Sequence, residues 1–158
     1  MIEQTTANLS ASPLVALVTG AGRRIGRVLA LDLARRGWRV GVHHRGAAHD
    51  ALDVVREIEA AGGRAVALQA DLARLDDVSS LVPRCAAALG PVTCLINNAS
   101  EFIGDTALTM TGATWSTHLD INLRAPVFLA QGLYAELPQA ASGSVINIID
   151  QRVWRATP

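Results

Sequence analysis

A glycine-rich segment near the start of the chain has the composition of a phosphate-binding turn. Residues 19–26 read TGAGRRIG. Glycine lets a phosphate approach the bare backbone, and the N-terminus of a following helix attracts negative charge. The spacing differs from the common GxGxxG pattern of dinucleotide-binding folds, because Gly20 and Gly26 stand six positions apart with Arg24 between them. The segment predicts a site for the pyrophosphate of a dinucleotide, and the alternative is a turn that only reverses the chain.

The residues about twenty positions further on bear on which dinucleotide would bind. NAD-binding folds usually carry an acid there that binds the ribose hydroxyls, whereas this chain has His43, His44 and Arg45. An acid repels a 2′-phosphate and an arginine pairs with one, so Arg45 favours NADP(H) over NAD(H). The alternative is a solvated strand end. A metal site on the two histidines is disfavoured, because adjacent strand residues point to opposite faces.

Polar residues also follow the later apolar runs, where each predicted strand ends. They are Asp71 with Leu72, the NNAS segment of Asn97, Asn98, Ala99 and Ser100, Asn122 in a helical stretch, and Asn147 with Asp150. Each of them alone is compatible with a turn or a helix cap. Because the carboxyl ends of parallel strands meet at one edge of a sheet, the set is expected to lie together there.

Short apolar runs alternate with longer amphipathic ones from residue 14 onward, which is typical of βαβ units and a parallel sheet. Strands are predicted at 14–18, 39–43, 64–69, 94–97 and 144–149, and helices at 24–36, 50–61, 76–89 and 114–137. Pro126 should bend or split the last helix. The sequence therefore predicts an α/β fold with a Rossmann-type, doubly wound parallel sheet in three αβα layers, truncated after its fifth strand. We expect one domain at 14–158, preceded by a flexible tail at 1–13.

Composition excludes several classes of function. The chain has 158 residues, half of them hydrophobic, and 14 basic residues balance 14 acidic ones. Zero net charge does not suggest the clustered basic face that nucleic acid or an anionic membrane requires. No apolar run approaches the length that spans a bilayer, and two cysteines without CxxC spacing are expected to be buried or semi-buried thiols of a reducing compartment. We expect a cytoplasmic protein with no nucleic-acid or membrane partner.

These motifs together resemble those of the short-chain dehydrogenase/reductase family, and the likeness extends over almost all of residues 14–150. TGAGRRIG is similar to the family's TGxxxGxG motif, and NNAS to its NNAG motif. Asp71 stands at the position of the family's adenine-side aspartate, and Asn122 at that of the asparagine in its catalytic tetrad. The resemblance implies an NADP(H)-dependent oxidoreductase that acts on a small-molecule substrate.

Several departures from the family pattern resemble the pteridine reductase branch. They are Arg24 at the middle glycine, His44 and Arg45 after the second strand, Ser100 at the last glycine of NNAG, Phe102 two residues later, and Asp150 where most members have the catalytic serine. In that branch the arginine touches cofactor phosphate and substrate, the phenylalanine stacks on the pterin ring, and the aspartate works beside a tyrosine in proton delivery. The resemblance therefore implies reduction of a pterin by hydride transfer.

The residue types fit that chemistry. A flat heteroaromatic substrate needs a ring to lie against, which Phe102 in a strand-end loop can provide; the alternative is that Phe102 packs in the core. Reduction of a C=N bond needs a proton on nitrogen, and a carboxyl in a dry pocket, as expected for Asp150, holds or relays a proton better than a serine hydroxyl. The alternative is that Asp150 caps the turn after the fifth strand.

The resemblance assigns three sets of site residues. The predicted cofactor-binding residues are Gly20, Arg23, Arg24, Ile25, Gly26, His44, Arg45, Asp71, Leu72, Asn98, Ala99 and Ser100. The predicted substrate-binding residues are Arg24, Ser100, Phe102 and Asp150, and the predicted catalytic residues are Asn122 and Asp150. No metal site is expected.

The family's YxxxK motif has no counterpart in this sequence. Tyr134 precedes the fifth strand and has Pro138 four residues later, and the chain contains no lysine. We therefore expect the N-terminal portion of a reductase, inactive on its own and completed by a C-terminal segment of the same protein. Without that segment, an apolar helix face and the edge of the fifth strand should be exposed. The resemblance also implies a homodimer or homotetramer.

Two other interpretations remain open. A reductase of the same family could act on a carbonyl compound instead of a pterin, and a panel of dihydropterins and ketones would separate the two. The chain could also be a non-catalytic nucleotide-binding or interaction module that uses the incomplete sheet as a docking surface.

Overall fold

Strands and helices alternate along the described residues, which are 14–139, 141–151 and 154 of this computed structural model. The strands are β1 (Val15–Val18), β2 (Arg39–His44), β3 (Ala65–Gln69), β4 (Cys94–Asn97) and β5 (Ser144–Asn147). The helices are α1 (Arg24–Arg35), α2 (Ala48–Ala60), α3 (Leu75–Leu89), α4 (Gly112–Leu119) and α5 (Ala125–Glu136), with a π-helical turn over Asp120–Arg124 between the last two. The predicted tail at 1–13 lies outside the described residues.

All five strands run parallel in one sheet, in the order β3-β2-β1-β4-β5. The chain builds outward from β1 through β2 to β3 and then crosses back to place β4 on the other side of β1. The strand order therefore reverses between β1 and β4, and open α/β sheets bind ligands at the carboxyl ends of the strands at such a point. The Rossmann-type, doubly wound parallel sheet predicted from the sequence is confirmed.

Helices cover both faces of the sheet and make three layers. Ala16 and Val18 of β1 pack on one face with residues of β2, α1 and α2, whereas Val15 and Leu17 pack on the other face with residues of α3 and α5. All four side chains are fully buried. A parallel strand covered on both faces has no polar side, which explains why β1 reads as a continuous apolar run.

Both cysteines lie in the core of the domain. Cys85 and Cys94 are buried free thiols, as predicted, one in each core layer. Burial raises the pKa of the Cys85 thiol to about 12, so this thiol stays protonated at neutral pH. No helix in the described part of the chain has the length and apolar character needed to cross a membrane.

The long helix predicted at 114–137 starts earlier and is interrupted at a different place. It begins at Gly112, and the interruption expected at Pro126 falls in the π-helical turn Asp120–Arg124 just before it. Proline has no N–H and its ring excludes the carbonyl four residues earlier, that of Asn122, so the wider turn accommodates it. Single π-helical turns often occur at functional sites, and this one contains Asn122.

β5 is an edge strand whose side chains are all exposed. The sequence predicts a strand at 144–149, but β5 ends at Asn147, after which the Ile148 N–H donates one further bond to the Asn97 carbonyl at 2.9 Å. The neighbouring helix surface also exposes apolar side chains, among them Leu123, which is 59% exposed. The predicted exposure of an apolar helix face and of the β5 edge is confirmed.

Candidate functional site

The segment 19–26 forms a tight turn between β1 and α1 that leaves no room for side chains at two glycines. Gly20 has a φ of +63°, in the left-handed region that favours glycine, and a Cβ there would lie 3.1 Å from the Ala99 Cα. A Cβ on Gly26 would overlap the carbonyl oxygen of Gly20 and lie 2.6 Å from Asn98 Nδ2. The turn therefore packs its backbone directly on the segment that follows β4.

Arg24 occupies a third position in this turn at which the backbone conformation favours glycine. Its φ is +50°, and no other non-glycine residue in the described part of the chain has a positive φ. This conformation costs on the order of 1 kcal/mol or more for a residue with a Cβ, and it explains why the family motif that this segment resembles has glycine there. The turn in return places the Arg24 side chain on the groove described below.

Replacing Arg24 by glycine should stabilise the fold while it removes a cation from the groove. We expect the free energy of unfolding to rise by up to about 1 kcal/mol, because relief of the left-handed strain exceeds the extra chain entropy of glycine. Urea unfolding measures the change. Arg23→Ala is the control, since Arg23 has a φ of −142° and its replacement relieves no strain. A destabilised Arg24→Gly variant would contradict the strain argument.

Thr19 joins the ends of β1 and β4. Its hydroxyl oxygen accepts hydrogen bonds from the N–H groups of Asn98 (2.9 Å) and Ala99 (3.0 Å), and the residue is only 1% exposed. The Asn98 side-chain amide in turn donates to the carbonyl oxygens of Thr19 (2.9 Å) and Gly20 (3.2 Å). These bonds fix the NNAS segment and the glycine turn to each other.

His43, at the end of β2, contacts the turn from the other side. Its Nδ1 accepts a hydrogen bond from the Gly20 N–H at 3.0 Å, which leaves Nε2 to donate to the Ala70 carbonyl oxygen at 3.1 Å. Burial is the largest cause that lowers the pKa of His43 from its ordinary 6.5 to about 4, so the ring is neutral at pH 7.

Burial also lowers the pKa of His44, whose Nδ1 has no hydrogen-bond partner within the described ranges. No group of three or more His, Cys, Asp or Glu side chains among the described residues is arranged to hold a metal ion.

These contacts border a first groove, at the carboxyl ends of β1, β2 and β4. The predicted cofactor-binding residues that line it are Gly20, Arg23, Arg24, Ile25, Gly26, Arg45, Leu72, Asn98, Ala99 and Ser100. His44 and Asp71 are predicted members that do not line it, and the Asp71 Oδ1 instead accepts a hydrogen bond from the Ala73 N–H at 3.0 Å in the turn before α3. The groove residues that sequence reasoning missed are His43, Glu101 and Ile121.

Three arginines give the first groove a positive rim, and carboxylates from other elements hold two of them. Arg23 pairs with Asp50 on α2, and Arg45 Nη1 lies 2.8 Å from Glu101 Oε2 in the loop after β4. Exposed pairs of this kind contribute about 0–1 kcal/mol. An anion that enters the groove would therefore compete with weakly held carboxylates for these guanidinium groups.

A second groove lies between the loop after β4, the π-helical turn and β5. Its lining includes the predicted substrate-binding and catalytic residues Ser100, Phe102, Asn122 and Asp150. Arg24, the remaining predicted substrate residue, lines the first of the two grooves instead. Ala99, Ser100 and Glu101 line both, so a ligand that extends from one groove into the other would pass over this segment.

The predicted site residues of the second groove differ in their exposure and in their hydrogen bonds. Asn122 holds the loop after β4, because its Oδ1 accepts from the Glu101 N–H (2.9 Å) and its Nδ2 donates to the Glu101 carbonyl (2.8 Å). Phe102 is 75% exposed and its ring centre lies 6.4 Å from that of His118, so the alternative that Phe102 packs in the core is wrong. Asp150 is exposed, so the described residues do not form the dry pocket expected around it.

A glycine turn at the switch point of a doubly wound sheet, with a helix N-terminus and arginines beside it, defines a nucleotide-binding domain of the Rossmann type. The family model described as short chain dehydrogenase matches residues 14–151. The chain belongs to that family, as the resemblance of its motifs implied.

Three similar proteins are reductases. The 3-oxoacyl-[acyl-carrier-protein] reductase FabG of Staphylococcus epidermidis is 35% identical over 133 residues, which cover 84% of this chain and 54% of that protein. The FolM alternative dihydrofolate reductase 1 from Brucella suis, in complex with NADP, has a TM-score of 0.88 and 39% identity over 92% of this chain and 60% of that one. The landomycin C-6 ketoreductase LanV, with bound NADP and rabelomycin, has a TM-score of 0.83 and 30% identity over 92% of this chain and 61% of that one. The chain thus spans about half the length of the curated relatives that it matches.

Proposed function

We propose that this chain is the NADP(H)-binding part of a short-chain reductase that transfers hydride to a pterin. The observation that carries the proposal is the set of three arginines, Arg23, Arg24 and Arg45, along the groove that the glycine turn borders. The NADP in the similar FolM and LanV structures supports the choice of cofactor. The description of FolM as an alternative dihydrofolate reductase supports a pterin substrate, because dihydrofolate contains a pterin ring.

The residues of the first groove fit a dinucleotide. The turn is compact only because Gly20 and Gly26 lack side chains, and α1 begins beside it with N–H groups that attract phosphate. Arg45 stands at the end of β2, where a guanidinium group binds the 2′-phosphate that a carboxylate would repel. The cofactor supplies the hydride when it is bound, and these residues bind and orient it.

The second groove has an aromatic side chain for stacking against a flat substrate ring and a carboxyl group for proton transfer. Phe102 is exposed at its edge and presents an aromatic face for stacking. Asn122 positions the loop that carries Phe102, through its two bonds to the backbone of Glu101. In this proposal Asp150 holds or relays the proton for the substrate nitrogen, beside a tyrosine of the completing segment, and closure of the groove removes water from around its carboxyl.

A C-terminal segment that carries the tyrosine and lysine of YxxxK completes the reductase in this proposal. Coverage by such a segment, or by a second copy of the protein in a dimer or tetramer, suits the exposed edge of β5 and the apolar surface at Leu123. The greater length of the similar proteins supports this part. The two unpaired cysteines favour a cytoplasmic setting for the protein. Intact-mass analysis for a co-purifying segment with YxxxK is the direct test.

Replacing Arg45 by leucine should remove a preference for NADPH over NADH. Loss of one charge-assisted bond costs about 1.5–3 kcal/mol, so the Kd for NADPH should rise roughly tenfold or more while that for NADH stays nearly unchanged. Fluorescence titration with both nucleotides measures the two constants. Arg56→Leu is the control, because Arg56 pairs with Asp53 on α2 and does not line the groove. Equal affinity of the unaltered protein for the two nucleotides would contradict the NADP part of the proposal.

An assay of the completed reductase with dihydropterins and ketones tests the substrate. NADPH oxidation that depends on a dihydropterin, and that falls when Asp150 is replaced by serine, supports the pterin proposal. Turnover of ketones alone would instead favour a carbonyl substrate, the second candidate, which the similarity to FabG and LanV supports. A folded chain that binds neither nucleotide would favour a non-catalytic interaction module.

A further inference from the structure

A single residue of β2 fastens the start of the glycine turn. The Gly20 N–H donates to His43 Nδ1 at 3.0 Å, and the Ala21 N–H donates to the His43 carbonyl oxygen at 2.9 Å. The other ring nitrogen, Nε2, lies 3.1 Å from the Ala70 carbonyl oxygen and must be the donor, because that oxygen can only accept. The ring, which is 2% exposed, therefore links the ends of β1 and β3 across β2.

We propose that His43 is a positioning residue, which holds the glycine turn in its phosphate-binding shape as a neutral imidazole protonated on Nε2. The link to phosphate rests on the dinucleotide function proposed above, whereas the fastening of the turn does not. The ring of His43 accepts from the Gly20 N–H and its carbonyl oxygen accepts from the Ala21 N–H, so the backbone N–H groups of the turn that are left for a phosphate begin at residue 22. His43 thus determines which part of the turn is left to bind an anion.

Gly20 needs such a fastening because glycine adopts many conformations at similar cost. Its φ of +63° is one of several accessible values, and an acceptor opposite its N–H selects this one. A buried polar atom requires a partner, and the second nitrogen of His43 has one in the Ala70 carbonyl. An apolar side chain of similar size would leave both the Gly20 N–H and that carbonyl without this partner.

The surroundings of His43 keep the ring neutral at pH 7. Burial is the largest cause that lowers its pKa to about 4. Smaller contributions come from the packed elements: the Ala70 hydrogen bond and Asp71 raise the pKa, and His44 and Arg84 lower it. A proton on Nδ1 would replace the acceptor by a second donor facing the Gly20 N–H, so the fastening is lost as the ring titrates.

The lowered pKa predicts the direction of the pH effect. The folded-state pKa of His43 lies below its ordinary value of 6.5, so the stabilisation is complete above pH 6.5 and is lost as the pH falls toward 4. Over that interval the equilibrium constant for unfolding should rise by roughly two orders of magnitude through His43 alone. A variant without the imidazole should lack this part of the pH dependence.

Hydrogen exchange, followed residue by residue in the unliganded protein at pH 7, tests the fastening directly. The Gly20 amide should be protected in the unaltered protein and lose protection by about tenfold or more in His43→Leu. His43→Asn keeps an amide oxygen near the position of Nδ1 and should recover part of the protection. His49→Leu alters an exposed histidine of α2 and serves as the control. Unchanged protection of Gly20 in His43→Leu would overturn the proposal.

Two further measurements test the role of His43 even if His43→Leu does not fold. The ¹⁵N NMR spectrum of the imidazole in the unaltered protein should show the proton on Nε2 at pH 7, and a proton on Nδ1 would overturn the proposal. The Kd for NADPH at pH 7 should rise about tenfold in the folded variant with the weakest Gly20 protection. If the unaltered protein binds no dinucleotide, the proposed function fails, and the exchange and NMR results still decide the role of His43.

Discussion

Replacing Gly26 by alanine should weaken the binding of NADP(H) by up to about a hundredfold and destabilise the domain. The added Cβ would overlap the Gly20 carbonyl oxygen and lie 2.6 Å from Asn98 Nδ2 and 3.0 Å from the Ala21 Cα. Two of these neighbours are backbone, and the third is an amide that donates to the carbonyls of Thr19 and Gly20, so none can move without opening the turn. Overpacking costs about 1–3 kcal/mol in a rigid site, and here the strain falls on the proposed phosphate site itself.

Gly22 provides a matched control in the same turn. A Cβ there would meet the Ala51 nitrogen and the Asp50 Cβ at 3.3 Å, a tight contact that a shift of a few tenths of an ångström relieves. NADPH titration and urea unfolding of both variants should therefore show a small loss for Gly22→Ala and a large one for Gly26→Ala. Equal effects at the two positions would contradict the role given to Gly26.

The strand pattern was readable from the sequence where both faces of a strand are covered. β1 has four consecutive apolar residues, and all four are buried, because helices pack on each side of it. β5 has only two apolar residues, between Ser144 and Asn147, and lies at the edge of the sheet with its side chains exposed. The sequence predicts that β5 extends to residue 149, because Ile148 and Ile149 have high strand propensity. In the structure the pairing of β5 with β4 stops soon after β4 ends at Asn97. Strand length at the edge is set by the partner strand, which local propensity does not report.

In the candidate site, too, the features that depend on local sequence could be predicted, and those that depend on distant contacts could not. The glycine turn could be predicted because its glycines lie within eight residues of each other. The roles of His43 and Thr19 could not, because their hydrogen bonds join residues 23 to 80 positions apart in sequence. The one available signal was a polar residue at the end of an apolar strand. For His43 the alternative of a solvated strand end is wrong, since the ring is buried and both nitrogens are bonded.

Thr19 is the residue at which the second large effect is expected. Replacing it by valine keeps the shape of the side chain but removes the oxygen that accepts from the N–H groups of Asn98 and Ala99. A fully buried N–H without a partner costs about 1–3 kcal/mol, and because Asn98 and Ala99 are only half-buried, Thr19→Val should lose about 2 kcal/mol or more of unfolding free energy. Single domains have only about 5–15 kcal/mol in total, so the loss should be large in urea unfolding followed by circular dichroism.

Thr19→Ser separates the hydroxyl from the rest of the side chain. Serine keeps the acceptor and loses one buried methyl group, so this variant should lose about 1 kcal/mol. NADPH titration should follow the same order, because the Thr19 hydroxyl joins the NNAS segment to the glycine turn and both line the first groove. If valine and serine destabilise the protein equally, the hydroxyl is not the joint between β1 and β4, and the rigidity of the proposed cofactor site must come from the Asn98 amide and His43 instead.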